Sequence, residues 1–159
     1  MTSVGSLYNL VRDAWASVPP PPTEEMESMA QEFGEEAERA FVGVAPIDVD
    51  IDSTGFEAAT PLLDLPARAA AAYLGTFLMS LLKGLEFQQA VGIFTDVLSR
   101  AHTIACLTRP SFWDRVRPFL PQPCRQALKQ VVSYLASQRE SLALTPEQVE
   151  TLMAQAAQS

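Results

Sequence analysis

The chain has 159 residues, 48% of them hydrophobic, and a formal charge of −8. That length and apolar content suffice for one core and leave little room for a second, and the acidic balance speaks against a general nucleic-acid binder, whose affinity comes from clustered Lys and Arg. The acid is unevenly placed: residues 1–60 hold 12 acidic and 2 basic side chains, net −10, whereas residues 61–159 hold 7 and 9, net +2.

From the N-terminus, Leu7, Leu10, Val11, Ala14, Trp15 and Val18 fall on one helical stripe, with Asn9, Arg12, Asp13 and Ser17 mostly opposite. Pro19 to Pro22 must end that helix, because proline lacks the amide donor, and four in a row favour an extended rod. Residues 1–22 therefore read as an amphipathic arm and proline spacer, with residues 23–159 as a single helical domain. Thr23, followed by Glu24, Glu25 and Glu27, reads as the cap of a helix running to about Phe41, with Gly43 near its end.

Residues 46–56 contain the strictest alternation, Ile47, Val49 and Ile51 against Asp48, Asp50 and Asp52, which predicts a short extended segment near 46–52. The three aspartates have the one-three-five spacing of a calcium loop. Ser53 stands where that loop needs glycine and Ala59 where it needs glutamate, so no metal is assigned.

Ala69 to Leu82 carries no charge, which makes a helix at about 65–83 the centre of the fold, entered through Thr60 or Asp64 and through Pro66. These 14 residues fall short of the roughly 20 that span a bilayer. Gly84 is expected to end or kink that helix. Phe87, Val91, Phe94, Leu98 and Ala101, continued by Ala105 or Cys106, follow four-three spacing, the seam of a further helix. Ser111 reads as the cap of a short turn, Cys124 to Gln138 as an amphipathic helix, and Thr145-Pro146-Glu147-Gln148 as a capping box opening the last. The expected fold is all-α: a helical bundle of about five to six helices with an extended N-terminal arm.

Catalytic signatures are sparse. His102 is the single histidine, and with Cys106 one turn away it makes at most half a metal site or a thiol pair. The seven glycines are scattered and form no phosphate loop. No catalytic residue, cofactor or metal is assigned. Two cysteines and an N-terminus without a basic, apolar leader fit a reducing compartment, cytoplasmic or within a virion, rather than secretion.

The order of Ala14-Trp15-Ala16, a helical region, an Ile-Asp-Val-Asp-Ile stretch from Ile47, and Leu62-Leu63-Asp64 leading into Tyr73-Leu74-Gly75-Thr76-Phe77 resembles rod-shaped plant virus coat proteins of the tobamovirus kind. The resemblance covers about the first half of the chain. It implies an acidic four-helix bundle that stacks around RNA, and the chain departs from it after the central helix, where only Lys83 and Arg100 stand for an arginine-rich stretch.

The expected function is that of a non-enzymatic structural or interaction subunit, docking through helix faces into a homo- or hetero-oligomeric assembly. The residues assigned to partner contact are Leu7, Leu10 and Trp15 on the arm, with Phe112, Trp113, Arg115, Arg117 and Phe119 among prolines and arginines. One alternative is a viral coat or nucleocapsid-type shell protein. Another is a small soluble regulator that binds an acidic partner or anion through the 109–129 window, where five bases meet one acid, Asp114.

Overall fold

One long apolar helix packs against more of the described elements than any other. The computed structural model describes residues 3–27, 35–50, 62, 65–91 and 98–158. Among them are seven α-helices: α1 (Val4–Trp15), α2 (Glu35–Phe41), α3 (Ala67–Val91), α4 (Leu98–Leu107), α5 (Pro110–Val116), α6 (Gln122–Ser137) and α7 (Pro146–Ala157). Short 3-10 turns occupy Thr23–Met26, Pro46–Asp48 and Arg117–Phe119, and no strand occurs among the described residues. The all-α expectation is met at that level.

Every residue of α3 from Ala69 to Leu78 is buried, as a stretch that is apolar on all faces requires. It packs against α1, α4, α5 and the turns at Pro46–Asp48 and Arg117–Phe119, while α1 also lies on α6 and α6 on α7. Gly84 does not end the helix: it is buried within an α3 that continues to Val91. Phe87 thereby belongs to the last turns of α3 and stands 51% exposed, so it does not begin a separate seam. Phe94, Thr60 and Asp64 lie outside the described residues. Among those described, no helix is long and apolar enough to cross a membrane.

The N-terminal segment is not a free arm. Ser3 caps α1 by accepting from the Ser6 amide (3.1 Å), and Val4, Leu7, Val11, Ala14 and Trp15 are buried against α3 and α6. The cause is a close approach between Trp15 and Gly75. A Cβ at Gly75 would stand only 2.4 Å from the indole, so glycine leaves the space the ring occupies. The indole Nε1 then donates to the Ala71 carbonyl (3.3 Å), which satisfies its one polar atom inside the core. The prolines that follow lie back over Ala71 and Ala72 rather than projecting as a spacer.

Thr23 opens the Thr23–Met26 turn from inside, with Pro22 in the capping position, and the predicted helix over 28–34 lies outside the described residues. Gly43 takes φ +77° just past α2, the left-handed position for which the sequence reserved glycine. Residues 46–48 form a 3-10 turn rather than an extended segment, because Pro46 fixes φ at the first position. The alternation survives as burial: Ile47 and Val49 are half-buried against the core, and Asp48 and Asp50 are exposed. Ile51 and Asp52 lie outside the described residues. Two hydroxyls of α3 hold this region, Tyr73 donating to the carbonyls of Phe41 (2.6 Å) and Val44 (3.2 Å), and Thr76 to that of Pro46 (2.5 Å).

Candidate functional site

The segment from Arg109 to Lys129 is where exposed charge and exposed apolar surface meet. Its first helix is capped two residues earlier than at Ser111: Arg109 is the N-cap and Pro110 takes the first position, since its ring already holds the helical φ. Phe112, Trp113 and Val116 turn inward, and the Trp113 indole donates to the Leu107 carbonyl (2.8 Å). The Arg117–Phe119 turn follows, and Pro121 and Pro123 bracket the entry to α6 without a side-chain cap.

The residues assigned to partner contact separate into two groups. Leu7, Trp15, Phe112 and Trp113 are at most 4% exposed and belong to the chain's own core, and Leu10 is half-buried beside it. Arg115 is half-buried and turned inward, its guanidinium donating to the carbonyls of Leu62 and Leu65 (3.0 Å for Leu65) and lying 5.9 Å from the Phe112 ring centre. Phe119, 46% exposed, is the most open of these residues, and Arg117 beside it is half-buried with its guanidinium at a surface cavity.

Two concavities flank them. One, about 390 Å³, is lined by Trp15, Val18, Pro19 to Pro22, Arg68, Phe119 and Pro121, so a proline-rich wall faces an exposed aromatic. Arg68 forms an ion pair with Glu25 (3.6 Å) at its edge.

The other, about 240 Å³, has Trp113, Leu120 and Leu128 as its apolar floor and Arg117, Arg125 and Lys129 around it, with no Asp or Glu in its lining. Arg117 lies over the Trp113 ring, 5.5 Å from its centre, and donates to Gln155 Oε1. Arg125 is fixed by donating to the carbonyls of Leu120 (2.9 Å) and Arg117 (3.1 Å). Lys129, one turn further along α6, is exposed and also borders a wider hollow near Gln130 and Ser133. Sequence reasoning grouped all five bases of the window. Lys129 lies one helical turn beyond Arg125, which the i, i+4 spacing signals, but the inward path of Arg115 follows only from the fold.

His102 and Cys106 share α4 one turn apart. Burial pushes the Cys106 thiol up to about 11 against smaller downward pulls from Arg109 and Arg115, which leaves it protonated at neutral pH. The Cys124 thiol, donating to the Ala14 carbonyl (3.3 Å), is likewise raised by burial to about 11. Among the described residues, no three His, Cys, Asp or Glu side chains gather as a metal site. No protein-family model, curated protein or solved structure matches the chain.

Proposed function

We propose that the chain is a non-enzymatic helical subunit of a larger oligomer, docking through the face around Phe119. The observation that carries this reading is the composition of that face. Phe119 and the prolines at 19, 22, 118 and 121 form exposed apolar surface, backed by the groove over Ala71 and Ala72. Proline and phenylalanine lose little conformational freedom on docking, so such a surface retains more of its hydrophobic gain than flexible side chains do. Arg68 supplies a polar rim.

The other exposed large apolar residues fit the role less well. Phe87 lines a hollow with Tyr8, Ala90 and the oppositely charged Lys83 and Glu86, and Met153 stands exposed on α7. Scattered exposed apolar residues are ordinary on protein surfaces. The bundle arrangement expected from the sequence belongs to the same proposal: α1, α3 and α6 form its inner group, and the partner completes it at the proline end.

Mass measured by light scattering across a concentration series tests the reading. The expected result is a defined oligomer for the unaltered chain and a smaller species for Phe119→Asp, with unchanged helical circular dichroism in both. A clean monomer at high concentration overturns it.

A further inference from the structure

We propose that the cavity between Arg117, Arg125 and Lys129 binds the phosphate group of a small phosphorylated molecule. The proposal does not depend on the docking role of Phe119. Three cationic side chains converge on about 240 Å³, none of them forms an ion pair with a described carboxylate, and the lining contains no acid. This occurs in a chain of net charge −8, where carboxylates are abundant enough to neutralise such a cluster. Arg125 and Lys129 are like charges one turn apart on α6, an arrangement that costs stability unless an anion sits between them.

The two guanidinium groups are held in place before any ligand arrives. Arg117 is stacked on the Trp113 ring and hydrogen-bonded to Gln155, and Arg125 is held at two carbonyls of the preceding turn. Each retains further N–H donors, so an entering oxyanion does not have to order them, which favours affinity. A single carboxylate offsets one of the three charges. A phosphate monoester dianion offsets two and offers three acceptor oxygens to the guanidinium forks and the ammonium. The buried floor of Trp113, Leu120 and Leu128 suits a small apolar body attached to that phosphate.

Inorganic phosphate is the probe, titrated into the full chain by calorimetry at ionic strength held constant with sodium chloride, with acetate as the comparison. Saturable phosphate binding is expected, tighter than acetate and weaker as salt is raised. Lys129→Gln is expected to weaken it about tenfold. That side chain is exposed and holds no structural hydrogen bond, so the variant folds, and circular dichroism verifies it. Arg12→Gln, on the exposed face of α1, is expected to bind as the unaltered chain does. Absence of saturable binding up to about 10 mM, acetate binding as tight as phosphate, or equal affinity in Lys129→Gln each overturns the proposal.

Discussion

Replacing Gly75 with alanine tests how α1 is held. A Cβ at this position would lie 2.4 Å from Cγ of Trp15, 2.5 Å from Cδ2 and 2.7 Å from Cδ1, so the ring has to withdraw by about 1 Å to reach ordinary contact. Trp15 is fully buried, and its Nε1 bond to the Ala71 carbonyl is already 3.3 Å long, so withdrawal also breaks that bond. Overpacking of this kind costs ~1–3 kcal/mol, and the lost buried hydrogen bond adds ~1 kcal/mol. Against this, alanine in a helix interior gains ~1 kcal/mol over glycine. The net expectation is a loss of about 2 kcal/mol, or about 4–8 °C in Tm for a chain of this length. Urea denaturation followed by circular dichroism measures it. Gly5→Ala is the matched control, because its Cβ would meet nothing nearer than Glu86 Oε2 at 3.9 Å. If Gly75→Ala is as stable as Gly5→Ala or more so, the packing of α1 on α3 described here is wrong.

Two further substitutions and one titration follow from the same geometry. Thr145→Ala removes the hydroxyl half of a capping box in which the Thr145 hydroxyl accepts from the Gln148 amide (3.1 Å) and the Gln148 side chain accepts from the Thr145 amide (2.9 Å). Its expected cost is ~1 kcal/mol in the same denaturation assay. Gly43→Ala places a Cβ at φ +77° with open space around it, so the expected loss of about 1 kcal/mol is pure backbone strain, and an unchanged midpoint refutes the left-handed turn. Burial raises Cys106 and Cys124 from 9.0 to about 11 and Tyr73 from 10.0 to about 12. The unfolded chain therefore loses these protons first. Stability is full below pH 9 and falls as pH rises from 9 towards 11 through the thiols and on towards 12 through Tyr73, and denaturation midpoints between pH 9 and 11 should show a slope that Cys106→Ala with Cys124→Ala reduces.

Where a segment's structure depends on its own period and caps, the amino-acid order already contained it. The apolar run of α3, the stripe on α6, the capping box at Thr145 and the glycine turn at Gly43 are of this kind. What remained hidden depends on pairs distant in sequence. The four prolines looked like a spacer because nothing local shows that Trp15 fits over Gly75, 60 positions away, and brings them back to the core. The alternation at Ile47 and Val49 correctly marked which side chains are covered, but Pro46 set a tighter backbone than a strand. The same limit applies to the surface. Phe112, Trp113 and Phe119 are alike in type, and only the turn at Arg117–Phe119 decides that two face inward and one outward. Arg115 and Arg117 differ in the same way: one reaches the carbonyls of Leu62 and Leu65, the other closes a cavity with Arg125.

The docking role of the proline face is tested most directly by hydroxyl-radical footprinting of the full chain at low and high protein concentration. Phe119, Phe87 and Met153 are similarly exposed, at 46%, 51% and 53%, so each serves as a reference for the others. Association through the proposed face predicts that oxidation of Phe119 falls with concentration while that of Phe87 and Met153 stays constant. Constant oxidation of Phe119, or protection of Phe87 or Met153 in its place, contradicts the account.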